Sequence, residues 1–356
     1  MNIKRVIPYV LAFGLVLVGD FLLFGGPPRP DLSFQASLRA AMAAQAQVTD
    51  DWLAMDGVVG TAVGFDAGGG AVVKVYLTAP GVAVLPRAVA GVPVQMEVTG
   101  PIVALADSPP GWAGPAIEDA ADDEAVDPKR SFPRPVPIGV STGHPDITAG
   151  TIGARVSDGQ RVYALSNNHV FAANNRGRPG DNLLQPGTVD GGRDPADVLG
   201  TLHDFEPIEF CGRVICPKNA MDAAIALTSV DDLGFETPEG GYGSPRSGSV
   251  EPKLGMKVQK YGRTTGLTQG HISGINATID VSYTAATARF ENQIMITGAS
   301  GKFSDGGDSG SLIVTKGLLL ADRKPVGLLF AGSPTHTIAN PIDVVLRRFG
   351  VQVDGG

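Results

Sequence analysis

The sequence predicts a mainly β protein preceded by a small α/β unit. The chain has 48 glycines and 27 prolines but few long helical patterns, which indicates many short strands joined by turns. Hydrophobic residues make up 43% and charged residues 18%, a composition typical of folded rather than disordered chains. With 356 residues, the chain is long enough for two or three compact units.

Charge and cysteine content exclude several classes of protein. The formal net charge is −8 and we find no basic face, which argues against a nucleic-acid partner. The only two cysteines, Cys211 and Cys216, rule out both a disulfide-framed small domain and a zinc site of recognisable spacing. They can close one local disulfide if the protein leaves the cytosol, and otherwise they are two free thiols.

Residues 1–26 have the pattern of an export signal or a membrane anchor. Lys4 and Arg5 precede an apolar run, Val6–Phe24, whose length is close to the about 20 residues that cross a bilayer. No Ala-x-Ala cleavage site follows, which favours an uncleaved anchor. Asp20 argues against a membrane-spanning segment, because a carboxylate in lipid costs about 3 kcal/mol. We therefore expect an extracytoplasmic protein (periplasmic, cell-surface or secreted), tethered to the membrane through this segment, and cleavage stays open.

Residues 31–104 predict a small α/β domain without catalytic side chains. Apolar residues at mixed three and four spacing predict a helix over Ser33–Met55. Alternation and glycine turns predict strands, and one short segment a second helix, in this order: strands Val58–Phe65 and Ala71–Leu77, helix Leu85–Ala90, strand Val92–Val98. A folding aid, an inhibitory pro-region and an adaptor are all compatible with this unit.

Residues 105–137 predict a linker. They are rich in proline and acidic residues and cannot build a core. Lys129, Arg130 and Arg134 make this stretch a plausible place for proteolytic cleavage.

The stretch Gly306–Ser311, Gly-Gly-Asp-Ser-Gly-Ser, places a serine hydroxyl between glycines. Ser309 on such a turn is a candidate nucleophile, although an ordinary surface turn has the same composition. The N–H groups of Gly307 and Ser309 are candidate donors to an oxyanion, each worth about 3 kcal/mol in acyl transfer.

A nucleophilic serine needs a base and a carboxylate. Strands predicted over Gly150–Val156 and Arg161–Leu165 lead directly to His169, whose neutral imidazole can take and return a proton. Asp222 stands alone at the head of the apolar run that ends at Leu227 and, if buried, needs a partner such as His169. The alternative is that Asp222 is only a turn residue.

Five stretches together resemble the chymotrypsin-like (trypsin-like) serine peptidases: Ser166–Val170, Asp222–Leu227, Gly262–Ile272, Gly307–Gly310 and Pro325–Gly332. The first is most similar to Deg/Htr-type bacterial enzymes, the third resembles streptogrisin-type enzymes, and the last resembles the strand beside bound peptide. The resemblance implies two six-stranded antiparallel β-barrels, residues 138–250 and 251–356, with His169, Asp222 and Ser309 in the cleft between them.

The resemblance also implies a substrate site, with departures from the family pattern. Phe303 stands where trypsin-like specificity has an aspartate, so Phe303, Phe330, Ala331 and Gly332 are expected to bind an apolar or small side chain. Phe330 also replaces a serine that contacts the catalytic aspartate in many relatives, which puts that contact in doubt.

Activation is a second point of departure. In zymogen relatives the residue matching Asp308 pairs with a newly cut N-terminus. The candidate start here, Ile138, follows Pro137, so activation by such a cut is not expected.

The sequence therefore predicts a serine endopeptidase that acts on peptide or protein substrates and needs no metal or organic cofactor. An α/β-hydrolase is disfavoured because the acid and histidine that follow Ser309 come in the wrong order. The remaining alternative is a catalytically silent barrel that binds peptides or proteins.

Overall fold

The computed structural model describes residues 32–105, 126–284 and 286–356. The predicted signal or anchor segment, residues 1–26, lies outside the described residues, as does most of the predicted linker. Among the described helices, none combines the length and apolar character that crossing a membrane requires.

The N-terminal unit is one long helix packed on a small sheet. Its elements, in chain order, are α1 (Leu32–Leu53), β1 (Val58–Phe65), β2 (Ala71–Leu77), β3 (Ala88–Val89), β4 (Val92–Val98) and β5 (Val103–Ala104). Ala41 and Trp52 of α1 are buried in one apolar cluster with Val63 and Val73 of the strands. The first helix and the three longer strands thus lie where the sequence predicts them.

The helix predicted over Leu85–Ala90 is wrong. Residues Ala88–Val89 instead form an edge strand that pairs antiparallel with β4, Val89 lying opposite Val92. The reversal is made by Ala90 and Gly91, whose φ angles are both positive, 49° and 81°. Two consecutive positive φ angles are typical of a two-residue hairpin turn and are incompatible with a helix.

The middle of the chain builds a six-stranded sheet. In chain order, this part contains β6 (Ser141–Thr142), β7 (Gly150–Thr151), β8 (Ala154–Ser157), β9 (Val162–Ser166), α2 (Asn168–Phe171), β10 (Asn182–Leu184), β11 (Val198–Phe205), β12 (Lys218–Asn219) and β13 (Ala224–Thr228). Strands β6 and β7 pair only with each other, and β12 belongs to the larger sheet described next.

The last part builds most of a second, larger sheet. Its elements are β14 (Lys257–Gly262), β15 (Gly266–Ser282), β16 (Thr287–Gly298), β17 (Leu312–Thr315), β18 (Pro325–Gly332), β19 (Thr337–Pro341), α3 (Ile342–Phe349) and β20 (Gln352–Val353).

The protein is mainly β, and the strand pairings differ between its two halves. In the larger sheet, β14, β15, β16, β19, β18 and β17 form a closed circuit in which each strand pairs with the next, and β17 pairs back with β14. The six-stranded sheet has the open order β10-β11-β13-β9-β8-β20. A second closed barrel therefore stays a prediction for this half.

Strand pairing connects the predicted domains at two places. Strand β1 pairs antiparallel with β15, so the N-terminal unit extends the larger sheet. Strand β20, from the end of the chain, pairs with β8 and returns to the six-stranded sheet. A sheet that continues from one unit into the next couples their stabilities through backbone hydrogen bonds.

The described end of the predicted linker, residues 126–137, is packed against the six-stranded sheet. Val136 is buried, and its N–H donates to the backbone carbonyl of Asp232 at 2.8 Å. Arg134, one of the predicted cleavage positions, forms an ion pair with Asp232. Residues 126–137 thus contact the six-stranded sheet, and the linker assignment for residues 105–137 as a whole stays a prediction.

A charged cluster connects the N-terminal unit to the larger sheet. Glu97 contacts Lys74 at 2.7 Å and His336 at 3.1 Å, and all three side chains are largely buried. Burial alone raises the pKa of the Glu97 carboxyl, but hydrogen bonds from His336 and Lys74 outweigh it and lower that pKa to about 2.

We expect Glu97→Gln to remove an acid-sensitive part of the stability. The ordinary pKa is 4.5, so the stabilisation is fully present above about pH 4.5 and is lost as the pH falls towards 2. Urea unfolding at pH 7 and pH 3 should show the unmodified protein losing about 2 kcal/mol more than Glu97→Gln over this interval. Glu239→Gln, at an exposed position, is the control, and equal losses in all three proteins would contradict the prediction.

Candidate active site

His169 and Asp222 lie side by side because two neighbouring strands place them there. β9 and β13 pair antiparallel with Ser166 opposite Ala224, so the residues after β9 meet those before β13. The His169 Nδ1 and Asp222 Oδ2 atoms are 2.5 Å apart, and the His169 backbone N–H donates to Asp222 Oδ1 at 3.2 Å. Both side chains are fully buried. This geometry fixes the ring orientation and favours a proton on Nδ1.

The Asp222 carboxylate has a further donor that the sequence did not predict. The Tyr283 hydroxyl, just after β15, donates to Asp222 Oδ2 at 2.8 Å. The sequence analysis put a second side-chain contact to this aspartate in doubt, because Phe330 stands where many similar peptidases carry a serine. Here the Tyr283 hydroxyl makes such a contact. A carboxylate that accepts several hydrogen bonds is stabilised in its charged form.

Two asparagines hold the backbone of Asp222. The Asn340 side chain accepts from the Asp222 N–H at 3.1 Å and donates to its carbonyl at 3.0 Å. Asn167 donates to the same carbonyl at 2.7 Å. The main chain at Asp222 is therefore fixed from both sheets.

Ser309 lies on a tight turn that requires its glycines. Gly307 and Gly310 both have φ = +94°, a region that favours glycine. A Cβ on Gly310 would come within 2.2 Å of the Ser166 hydroxyl and of the Thr151 carbonyl. Only glycine allows the turn to approach the strand that leads to His169.

The structure brings the turn of Ser309 against the segment of His169. The Thr151 N–H donates to the Ser309 carbonyl at 2.7 Å. A Cβ on Gly150 would meet both the Val170 side chain, at 2.5 Å, and the Ser309 carbonyl, at 3.0 Å. Ser309 is fully buried, and its hydroxyl donates to the Phe330 carbonyl at 3.1 Å.

The predicted oxyanion donor Gly307 contacts a peptide carbonyl of the same chain. Its N–H donates to the Leu105 carbonyl at 2.9 Å. The second predicted donor, the Ser309 N–H, stays a prediction.

Asp308 is buried and paired with an internal cation. The Lys260 Nζ lies 3.3 Å from Asp308 Oδ2, and both side chains are fully buried. Burial lowers the pKa of the Lys260 amine, and the adjacent Asp308 carboxylate counteracts this. The backbone N–H of Ile138 donates to the backbone carbonyl of Glu236 at 3.0 Å. Lys260 thus supplies a buried positive charge beside Asp308, a pairing that the sequence analysis did not predict.

The four predicted substrate-binding residues lie in three different surroundings. Ala331 and Gly332 pair with Ala104 and Val103 of β5. Phe303 is buried in the same apolar cluster as Leu105, Val258, Ile272, Ile294, Ile296, Ile313, Val326, Leu329 and Ala339. The Phe330 ring instead packs against Phe290, with ring centroids 4.8 Å apart, in a different cluster.

Two other predicted features concern sulfur and metal. Cys211 and Cys216 are joined by a disulfide. In the described parts of the chain, no three histidine, cysteine or acidic side chains group as metal ligands would.

A family model described as the Nal1 C-terminal domain matches residues 245–340, from just before β14 to β19. No curated protein matches the sequence.

Several solved protease structures are similar to the chain. They include Thermobifida fusca Protease A (22% identity, TM-score 0.44), a glutamic acid-specific serine protease described as using a histidine triad in substrate binding (19%, 0.43) and Cellulomonas bogoriensis chymotrypsin (20%, 0.41). Each similarity covers 62% of this chain and 99% or more of the other.

Proposed function

We propose that the protein is a serine endopeptidase of the chymotrypsin-like double-barrel type. The observation that supports this best is the 2.5 Å contact between His169 Nδ1 and Asp222 Oδ2, beside the glycine turn that carries Ser309. Residues 138–250 and 251–356 form the two halves, and residues 31–104 form the small α/β domain, for which a folding aid, an inhibitory pro-region and an adaptor remain the candidate roles. The closer likeness of Ser166–Val170 to Deg/Htr-type enzymes stays a prediction.

Each residue has a defined task in this proposal. The Ser309 hydroxyl attacks the carbonyl carbon of a peptide bond, and its proton passes to His169 Nε2. Asp222 holds the ring and stabilises the imidazolium, while the Gly307 and Ser309 N–H groups stabilise the oxyanion. His169 then protonates the leaving amine, and water hydrolyses the acyl-enzyme to regenerate Ser309.

A catalytically silent, peptide-binding barrel is the second candidate. Two observations favour it: the Ser309 hydroxyl donates to the Phe330 carbonyl, and Ser309, His169 and Asp222 are all fully buried. A binder keeps the cleft but never forms a covalent bond with substrate, so covalent labelling separates the two candidates.

We expect a fluorophosphonate to label the full chain at Ser309. Only a serine activated by a base reacts with this reagent, so Ser309→Ala should abolish the adduct in a peptide map. Ser311→Ala is the matched control, because this buried hydroxyl two residues away donates to the Asp308 carbonyl and has no proposed chemical role. The silent barrel would be supported if Ser309 stayed unmodified both in the unaltered chain and in Leu105→Asp. The second variant is included because Leu105 contacts the Gly307 N–H beside Ser309.

The disulfide between Cys211 and Cys216 fits a location outside the reducing cytosol. We propose that the protein acts there, on peptide or protein substrates. The membrane tether through residues 1–26 remains a proposal, and detergent dependence of extraction with and without these residues tests it.

A further inference from the structure

Residues 102–105 lie along the strand that the resemblance places beside bound peptide. Val103 and Ala104 form β5, which pairs antiparallel with β18, Val103 opposite Gly332 and Ala104 opposite Ala331. An extended peptide that adds itself to a sheet edge is a common form of peptide recognition. The backbone of this segment is therefore bound as a foreign peptide would be.

The carbonyl of Leu105 lies where the oxyanion is expected. The Gly307 N–H, the predicted oxyanion donor, donates to this carbonyl at 2.9 Å. Strand pairing at positions 103 and 104 and carbonyl binding at position 105 are consecutive along the segment. One segment thus fills both the strand edge and the oxyanion donor in a single register.

The side chain of Leu105 fills an apolar pocket. It is 2% exposed and shares its cluster with Phe303, Val326 and Leu329. A Cβ on Gly332 would lie 3.3 and 3.4 Å from the two Leu105 methyl carbons, so this glycine leaves space for the leucine. The side chains that surround Leu105 in this cluster are apolar, so the pocket favours an aliphatic side chain and disfavours a charged one.

The position of the Ser309 hydroxyl completes the observation. It donates to the Phe330 carbonyl at 3.1 Å, so the hydroxyl proton is hydrogen-bonded to the backbone of β18. With the segment in place, the nucleophile is held in a resting arrangement.

We propose that Ile102–Leu105 is a built-in ligand of the peptide cleft, which blocks it in the intact chain and shows that the site accepts peptides with leucine at the cleaved bond. This inference rests on the proposed peptidase function. The segment occupies the side of the cleft that holds the residues preceding the cleaved bond, with leucine in the pocket, alanine before it and branched aliphatic residues further away.

The first test measures how fast a fluorophosphonate labels Ser309 in full-length variants. Leu105→Asp places a carboxylate in the apolar pocket and should speed labelling about 10-fold or more, since burial of the leucine side chain no longer holds the segment. Leu105→Ala should give a smaller increase in the same direction. Val98→Asp, in β4 at a position 45% exposed, is the matched control and should label like the unaltered chain.

The second test uses the free peptide Ile-Val-Ala-Leu as a probe. It should slow labelling of Leu105→Asp competitively and leave the unaltered chain unaffected, because there the cleft is already filled. This competition requires a folded cleft, so it also distinguishes release of the segment from unfolding of the variant.

The third test concerns specificity. On Leu105→Asp, a fluorogenic amide of Ile-Val-Ala-Leu should be hydrolysed with a kcat/KM about 100-fold above that of Ile-Val-Ala-Arg, because a guanidinium loses its hydration among apolar side chains. Equal or reversed preference would overturn the inference.

The outcomes separate the inference from the function. If Ser309 is labelled at the same rate in all variants and peptides are hydrolysed, the built-in ligand is refuted and the peptidase stands. If neither labelling nor hydrolysis occurs in any variant, the peptidase proposal itself fails.

Discussion

Replacing Asp222 with asparagine is expected to lower kcat for peptide hydrolysis about 10⁴-fold, as loss of this carboxylate does in enzymes with the same triad. The reason lies in the hydrogen bonds around the side chain. Asp222 Oδ1 accepts the His169 backbone N–H, whereas Oδ2 contacts the imidazole Nδ1 and accepts from Tyr283. An asparagine can satisfy the backbone donor only by turning its oxygen towards it, which directs its NH₂ group at Nδ1.

That orientation reverses the protonation of the ring. An NH₂ group facing Nδ1 favours the tautomer whose proton is on Nε2, and such an imidazole cannot accept a proton from Ser309. The measurement is kcat on a fluorogenic casein in the Leu105→Asp background, in which the segment no longer blocks the cleft, with circular dichroism to show that the fold is retained. Asn340 and Asn167 still hold the backbone at this position, so the fold should persist.

Tyr283→Phe is the matched comparison for Asp222→Asn. It removes one donor to Oδ2 and leaves the carboxylate, so its effect on kcat should be far smaller, about 10-fold or less. If both variants lose activity equally, or if Asp222→Asn remains active, the carboxylate does not orient His169.

The sequence was informative where the signals are local. Strands β1, β2 and β4 have the predicted bounds because alternation and glycine turns act over a few residues. The contact of His169 with Asp222 agrees with the expectation that a buried Asp222 needs a partner. It depends on the pairing of β9 with β13, which brings α2 beside the residues that precede β13.

The sequence was uninformative where contacts are distant. Tyr283 lies 61 residues from Asp222, and nothing near its position on the chain distinguishes it from any other tyrosine after a strand. Lys260 likewise lies within a strand, where a lysine is normally exposed. Only the fold shows that it is buried and forms an ion pair with Asp308.

The segment Ile102–Leu105 illustrates the same limit. Its four apolar residues adjoin a proline- and acid-rich stretch, and composition averaged over residues 105–137 assigned its last residue to a linker. The partners that bury Leu105 come from strands and turns some 200 residues further along the chain, so no local pattern could reveal them.

The largest expected effect on stability comes from Lys260→Met. Lys260 and Asp308 are both fully buried, and removing one partner of a buried ion pair costs about 3–5 kcal/mol because the other charge is left uncompensated. Asp308 also accepts from the Thr264 and Thr265 N–H groups, so it fixes the turn on which Gly307 and Ser309 lie. Lys260→Met should therefore both lower the free energy of unfolding and displace the oxyanion donors from their positions.

Urea unfolding and fluorophosphonate labelling measure these two effects in Lys260→Met. Lys257→Met is the matched control, since it makes the same replacement at an exposed position of the same strand and should change the free energy of unfolding by about 0.5 kcal/mol or less. Equal stability of the two variants would mean that Asp308 does not depend on the Lys260 charge. In that case the three backbone N–H groups and the Thr265 hydroxyl that donate to Asp308 are sufficient to hold it.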